Sequence, residues 1–368
     1  HEIACDQFRL PIESPKKAFK TSGPKLTVST NGDNLSASSS KVNFVFNRKT
    51  GIVTSYKVDG TEYFSEGFGI QPNFWRAPTD NDYGNGMPKR LQVWKESSKN
   101  FNVTDATVTM DGNNAVVNVN YLLPAGNLYI VNYTIYPSGA VNVAARFTST
   151  DMDAAQTEVS EATRTATFTP GRDAARKEAS KLNVPRIGVR FRLPASMNQV
   201  EYFGRGPAEN YLDRNAGSMI GLYKSTAEEL YFPYVRPQEN GHHTDTRWVS
   251  LSTGKKGLLI QADNTIGFNA LRNSIEDFDD EEATGLPRQW SNFTPEQVAN
   301  HDEAAAKSVL RRQHHINDIT PRDFVEVCVD LKQQGVAGYD SWGSRPEPAY
   351  TLPANREYNW GFTLIPLK

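Results

Sequence analysis

Cysteine is almost missing from this chain: Cys5 and Cys328 are the two thiols among 368 residues. Far apart in sequence, they read as isolated thiols in a chain long enough to do without a staple, with one long disulfide as the alternative. No C-x-x-C pair occurs, which removes the usual structural zinc site. No apolar run approaches the ~20 residues that a membrane span needs, and no basic-then-apolar leader opens the chain. The net charge of -2 is too small to point to nucleic acid or to a membrane surface. Neither a G-x-G-x-x-G after a strand nor a G-x-x-x-x-G-K-[ST] is present, so phosphate-cradling loops are unsupported, and G-x-S-x-G is absent too. Helix is scarce. It is expected over 294–312, where Thr294-Pro295-Glu296-Gln297 reads as a capped start, and in short polar form over 172–181.

What is present alternates. Apolar residues make up 38% of the chain, enough for a core, and the length argues for one large or two medium domains. In Arg186-Ile187-Gly188-Val189-Arg190-Phe191-Arg192-Leu193 every second residue is apolar, which predicts a half-buried strand with its arginines on a wet outer face. Val117, Val119 and Tyr121 alternate with Asn118 and Asn120; Val141, Val143, Ala145 and Phe147 keep the same period. Val325, Val327, Val329 and Leu331 face away from Glu326 and Asp330. Turn signals at Asn31-Gly32, Asp59-Gly60, Asp111-Gly112 and Pro137-Ser138-Gly139 punctuate these runs. Many short strands with regular turns predict an all-β sandwich of antiparallel sheets. Residues 1–13 hold one strand, 14–24 are linker-like, and the main domain runs from 25 to 368. The opening His1-Glu2-Ile3-Ala4 has no initiator Met and reads as cut from something longer.

Candidate chemistry is dispersed. In "PNFWRAPTDNDYGNG" (72–86), Phe74 and Trp75 are expected to pack, Arg76 offers a cation, and Asp80-Asn81-Asp82 offers three oxygens in a row without the spacing of a calcium loop. Gly84 and Gly86 predict an exposed, mobile stretch from Gly84 to Pro88. His242-His243 and His314-His315 would point to opposite faces of a strand and so could not share a metal. The acidic run from Glu276 to Glu282 reads as a solvated loop. Sugar hydrolysis with retention needs two carboxylates ~5–5.5 Å apart, and sugar binding needs aromatic platforms. Trp342 in "GYDSWGS", with Asp340 beside it, is such a platform. Glu209 and Glu239 are the candidate acids; the plainer reading makes them carboxylates that tie loops to Arg205, Arg214 or Arg236.

Four stretches then match a known pattern in order: "FWRAPTDNDYGNG" (74–86), "YFGRGPAENYLDR" (202–214), "YVRPQENGHHTDTRW" (234–248) and "GVAGYDSWGS" (335–344), with "PRIGVRFRLP" (185–194) in support. Together they resemble the C-terminal, small-chain region (domain 5) of glycoside hydrolase family 2 β-galactosidases. The resemblance covers residue 25 to the end, while residues 1–13 look like the last strand of a preceding immunoglobulin-like domain. It implies a large antiparallel β-supersandwich of the galactose mutarotase type. It implies that Trp342 and Asp340 meet a β-galactoside, and that Asp82, Gly84, Asn85 and Gly86 open a mobile loop beside the active site. It leaves Arg76, Glu209, Glu239 and His242 as secondary candidates. It places the catalytic glutamates, Mg2+ and Na+ in other domains, so this chain would hold no cofactor, act only with the remaining domains, and form a homo-oligomer when full length. The region from Asn273 to His315 has no clear match. Two other readings are a free-standing carbohydrate-binding or assembly module, and an aldose-epimerase-like enzyme using His242 and Glu239.

Overall fold

In Val42-Asn43-Phe44-Val45-Phe46-Asn47, buried and half-buried residues alternate, which seats one face of a strand on the core. A computed structural model of the chain describes residues 6–8, 10, 18–148, 182–279, 315–340 and 343–368. Strands β1 (Thr27–Asn31), β2 (Asn34–Ser38), β3 (Val42–Asn47), β4 (Ile52–Val58) and β5 (Thr61–Glu62) follow one another in an antiparallel five-stranded sheet. Its turns fall where the sequence signals them. Asp59 and Gly60, between β4 and β5, both take left-handed backbone, with φ of 49° and 77°. Two such residues in a row are what a tight type I′ hairpin requires.

The second sheet has twelve strands. One edge begins with β13 (Met219–Thr226), β12 (Gln199–Gly206) and β14 (His243–Ser252), which leads to β15 (Gly257–Leu271). The path continues through β17 (Tyr358–Leu367), β10 (Val141–Thr148), β9 (Leu128–Ile135) and β8 (Asn114–Leu122) to β7 (Asn102–Asp111). A branch runs from β15 to β16 (Phe324–Gln333), β11 (Arg186–Pro194) and β6 (Gln71–Asn73). The long strand β15 makes the branch: Gly257 to Ala262 pair with β17, and Gly267 to Leu271 pair with β16. Among the described residues the α-helices are short: α1 (Asp80–Gly84), α2 (Met87–Arg90), α3 (Gln92–Ser97) and α4 (Ile275–Phe278). None is long and apolar enough to cross a membrane. The antiparallel, helix-poor fold is thus the one that the period-two pattern predicts. The helices expected over 294–312 and 172–181 lie outside the described residues.

Phe74 and Trp75 are buried, as expected. The Phe74 ring lies 5.1 Å from that of Tyr129 and 5.7 Å from that of Phe147. The arginines of β11 are a correction. Arg186 and Arg190 do not face water; both are buried. The reason is that β11 lies between β6 and β16, and β16 brings carboxylates on its polar face. Arg190 meets Glu276 at 2.8 Å and Glu326 at 3.4 Å. Arg192, half-buried, meets Glu326 at 2.8 Å and stacks 4.0 Å over the rings of Phe68 and Phe324.

Arg186 is the centre of a larger cluster. Its Nη2 donates to Glu239 Oε1 at 3.2 Å and to Asn269 Oδ1 at 2.8 Å. Its Nε is 3.2 Å from Asp330 Oδ2, too poorly aligned for a hydrogen bond, and neither Asp330 oxygen has one in the structure. Burial works against the arginine's charge, but Asp330 and Glu239 outweigh it and hold the pKa above its ordinary value. Gly188 makes room for the acid, since a β-carbon there would lie 2.1 Å from Asp330 Oδ1. Burial pushes the Asp330 carboxyl up to about 7, with Arg186 opposing the rise and Glu239 adding to it.

That rise has a sign in stability. An unfolded aspartate loses its proton near 3.8, whereas the folded chain keeps it to about 7. Across that window the folded state binds the extra proton, so stability falls as pH rises, by up to ~1.4 kcal/mol per pH unit. Asp330→Asn removes the titration. Its stability relative to the native chain should improve between about pH 4.5 and about pH 7, as read by urea unfolding. A difference independent of pH would show that Asp330 is ionised throughout.

Candidate functional site

Thr79 and Asp82 start α1 as a reciprocal cap: Asp82 N donates to Thr79 Oγ1 at 3.2 Å, and Thr79 N donates to Asp82 Oδ2 at 3.0 Å. The same Asp82 carboxylate takes the Arg76 guanidinium in a two-pronged pair, with Nε at 3.1 Å and Nη2 at 3.0 Å. Arg76 gives its other protons to Gln333 Oε1, Gln334 O and Gly335 O at 3.2, 2.8 and 3.1 Å. All five donors of a fully buried guanidinium are thereby met. The Asp80-Asn81-Asp82 run is therefore a helix start whose last acid belongs to Arg76. Among the described residues no three His, Cys, Asp or Glu side chains gather as a metal would need.

The stretch from Gly84 to Pro88 is only partly the open loop expected. Gly84 and Gly86 are exposed, but Met87 is buried and begins α2, with Gly86 left-handed at its N-terminus (φ 73°). An apolar side chain two residues beyond Asn85 anchors what the glycines alone would leave free.

Two distant segments pack on α1. From one side, Arg236 lies 4.0 Å over the Tyr83 ring and 3.5 Å from Asp80, while Gln238 Oε1 accepts the Asp80 N–H at 3.2 Å. From the other, Asn85 Nδ2 donates to Ser344 O at 3.3 Å, and a β-carbon on Gly343 would lie 2.4 Å from the Gly84 carbonyl carbon. Tyr339 and Asp340, in the turn before Ser344, are exposed. Trp342 lies outside the described residues.

The candidate acids have other partners than expected. Glu209 accepts from the Tyr234 hydroxyl, from Gly241 N at 2.6 Å and from the Tyr211 hydroxyl at 3.4 Å. Burial raises its pKa, and the bonds from Tyr234 and Gly241 oppose the rise. Arg205 pairs instead with Asp245 at 2.6 Å, and Arg236 with Asp80. Glu239 is buried and ties to Arg186, Asn269 and Gln333, not to Arg236. His242 is buried, shares a 2.9 Å hydrogen bond with Asn269 Oδ1 and stacks on Tyr211. Burial, with Arg186 adding to it, holds the His242 pKa well below its ordinary value, so the ring is neutral. His243 points elsewhere, to the carbonyls of Gly241 and Pro207. The recess beside Glu239 has about 20 Å3, room for one water and none for a sugar.

No local motif singles out Asp213. It stands on a tight turn closed by Arg214 N to Tyr211 O at 2.8 Å. Its two oxygens accept Val336 N at 2.9 Å and Ala337 N at 2.8 Å. Ala337 is left-handed (φ 56°), a conformation that costs a residue with a β-carbon roughly 1–2 kcal/mol. Only the pairing of residues more than a hundred apart exposes this role, and no local motif carries it.

Comparison with known proteins fits these geometries. Residues 38–364 match the family described as beta galactosidase small chain. A β-galactosidase of Priestia megaterium is 31% identical over the whole of this chain and 30% of its own length. A β-galactosidase small subunit of Latilactobacillus sakei is 27% identical over 87% of this chain and 92% of its own. This chain spans about 30% of the length of the first of these and of the Streptococcus thermophilus β-galactosidase, which is 25% identical. Among solved structures, galactose 1-epimerase from Lactobacillus acidophilus aligns with a TM-score of 0.43 at 8% identity, over 93% of this chain and 97% of that one. With a family match running across most of its length, the chain belongs to the β-galactosidase small-chain family.

Proposed function

We propose that this chain is the small-chain part of a family 2 β-galactosidase and forms one wall of the galactoside pocket. The observation that carries the proposal is the convergence on α1: Arg236 and Gln238 reach it from one side, Gly343 and Ser344 from the other. The wall presents what a sugar asks for. Tyr339, Asp80 and Asp340 are exposed beside Tyr83, on whose ring Arg236 stacks, and Trp342 follows in sequence. In the complete enzyme, Trp342 stacks on the sugar, and the stretch from Asp82 to Gly86 shifts as the pocket closes.

Chemistry comes from the rest of the enzyme. Hydrolysis with retention needs two carboxylates facing one bond. Here Glu239 and Asp330 are buried around Arg186, and Glu209 is bonded to Tyr234 and Gly241. None is presented to a substrate. In this reading the acid/base pair, Mg2+ and Na+ belong to the larger remainder, as the family resemblance implies, and the β-galactoside binds between it and this wall.

Three tests follow from this reading. The chain by itself should release no product from a chromogenic galactoside; turnover that survives purification and vanishes in Glu209→Gln would overturn the division of labour. In the complete enzyme, Trp342→Ala should raise KM about ten-fold, equal to ~1.4 kcal/mol, with little change in Tm. A large loss of Tm with unchanged KM would instead make Trp342 part of the core. Gly86→Ala should change both kcat and KM, because a left-handed alanine resists the turn by roughly 1 kcal/mol; kinetics indifferent to it would reduce the Gly84–Gly86 stretch to an ordinary bend.

A further inference from the structure

Where the chain leaves β16, main-chain groups of four consecutive residues are held by two side chains. Arg76 donates to the carbonyls of Gln334 and Gly335 at 2.8 and 3.1 Å. Asp213 then accepts the amides of Val336 and Ala337 at 2.9 and 2.8 Å. The carbonyls meet a cation and the amides meet an anion, so each side chain suits the dipole end it grips. Both grips are rigidly mounted. Arg76 is locked by Asp82, and Asp213 stands on the turn next to Tyr211, which is buried and stacked on His242. Gly335 is part of the fit, since a β-carbon there would lie 2.4 Å from Asp213 Oδ2.

The segment beyond the grip is bent against preference. Ala337 and Gly338 are both left-handed, with φ of 56° and 100°. Glycine takes such a backbone freely and alanine does not. The two hydrogen bonds to Asp213 hold Ala337 there, and the bend aims Tyr339 and Asp340 outward beside α1. We propose that Asp213 is a positioning residue for substrate binding: together with Arg76 it fixes the direction in which the chain leaves through Gly338, Tyr339 and Asp340, and so the shape of the pocket wall, without touching the sugar. This rests on the wall reading above.

The test uses the complete enzyme. Asp213→Asn keeps the size of the side chain but turns one acceptor into a donor that faces an amide. It should speed hydrogen exchange at Val336 and Ala337 and raise KM about ten-fold, with kcat within about two-fold. Ala337→Gly in the same background should restore most of the KM, because glycine needs no help to stay left-handed. That rescue is not expected of general destabilisation. Unchanged exchange at the two amides would overturn the proposal, and so would a raised KM that Ala337→Gly leaves as it is. If exchange rises but KM does not, while Trp342→Ala still raises KM, the wall stands and the role of Asp213 falls. If neither substitution moves KM, the wall reading itself fails first. Should Asp213→Asn not fold, Asp213→Glu replaces it: the charge stays, the carboxylate moves by one methylene, and a raised KM supports the proposal while an unchanged one overturns it.

Discussion

A guanidinium with no exposure must find an acceptor for each of five N–H groups, and much of this site's geometry follows from how Arg76 does so. An unmet buried charge costs several kcal/mol, so the surrounding chain has little freedom to arrange itself otherwise. Asp82 satisfies two donors and in the same act caps α1. The remaining three fix the end of β16. Gln333 then passes the constraint on, accepting from Arg76 and donating to Glu239 at 3.0 Å. Glu239 in turn reaches Arg186, and Arg186 reaches Asp330. A single line of alternating charge and amide links the exposed wall to the middle of the large sheet.

Such a line gives the Glu239 carboxylate a structural task. A carboxylate surrounded by Arg186, Asn269 and Gln333 is spent on keeping a cation buried. Its neighbour Asp330 has no aligned donors, and burial favours its protonated form while Arg186 opposes this. The polar cluster supports the wall from behind, as loop-tying carboxylates would, but through arginines of the sheet and not of the loops.

Local features were legible in the sequence because they depend on neighbours. Val117, Val119 and Tyr121 showed their buried face, and Asp59-Gly60 its hairpin, since two residues decide each. The capping pair Thr79 and Asp82 lies three residues apart and could have been read, yet the three adjacent oxygens drew attention to metal spacing instead. β11 misled for a different reason. Alternation says that two faces differ, not that one is wet, and only the folded chain shows that residues on both faces are buried. The hold of Asp213 on Val336 and Ala337 spans 123 and 124 residues of chain and leaves no trace in either segment's composition. Four stretches were legible in a known order, though not that three of them meet at α1.

The place of β17 has a consequence for how the molecule comes together. This strand lies between β10 and β15, joining the run β7–β10 to everything that follows. Among the described residues, the two halves of the large sheet therefore share a main-chain ladder only through residues near 360. Each half must wait with an open edge at β10 or β15, and closing it means bringing together strands more than two hundred residues apart, the slowest kind of pairing for a chain to make. Those waiting edges are the surfaces most exposed to wrong partners during synthesis, a hazard of assembly order that the finished sheet no longer displays.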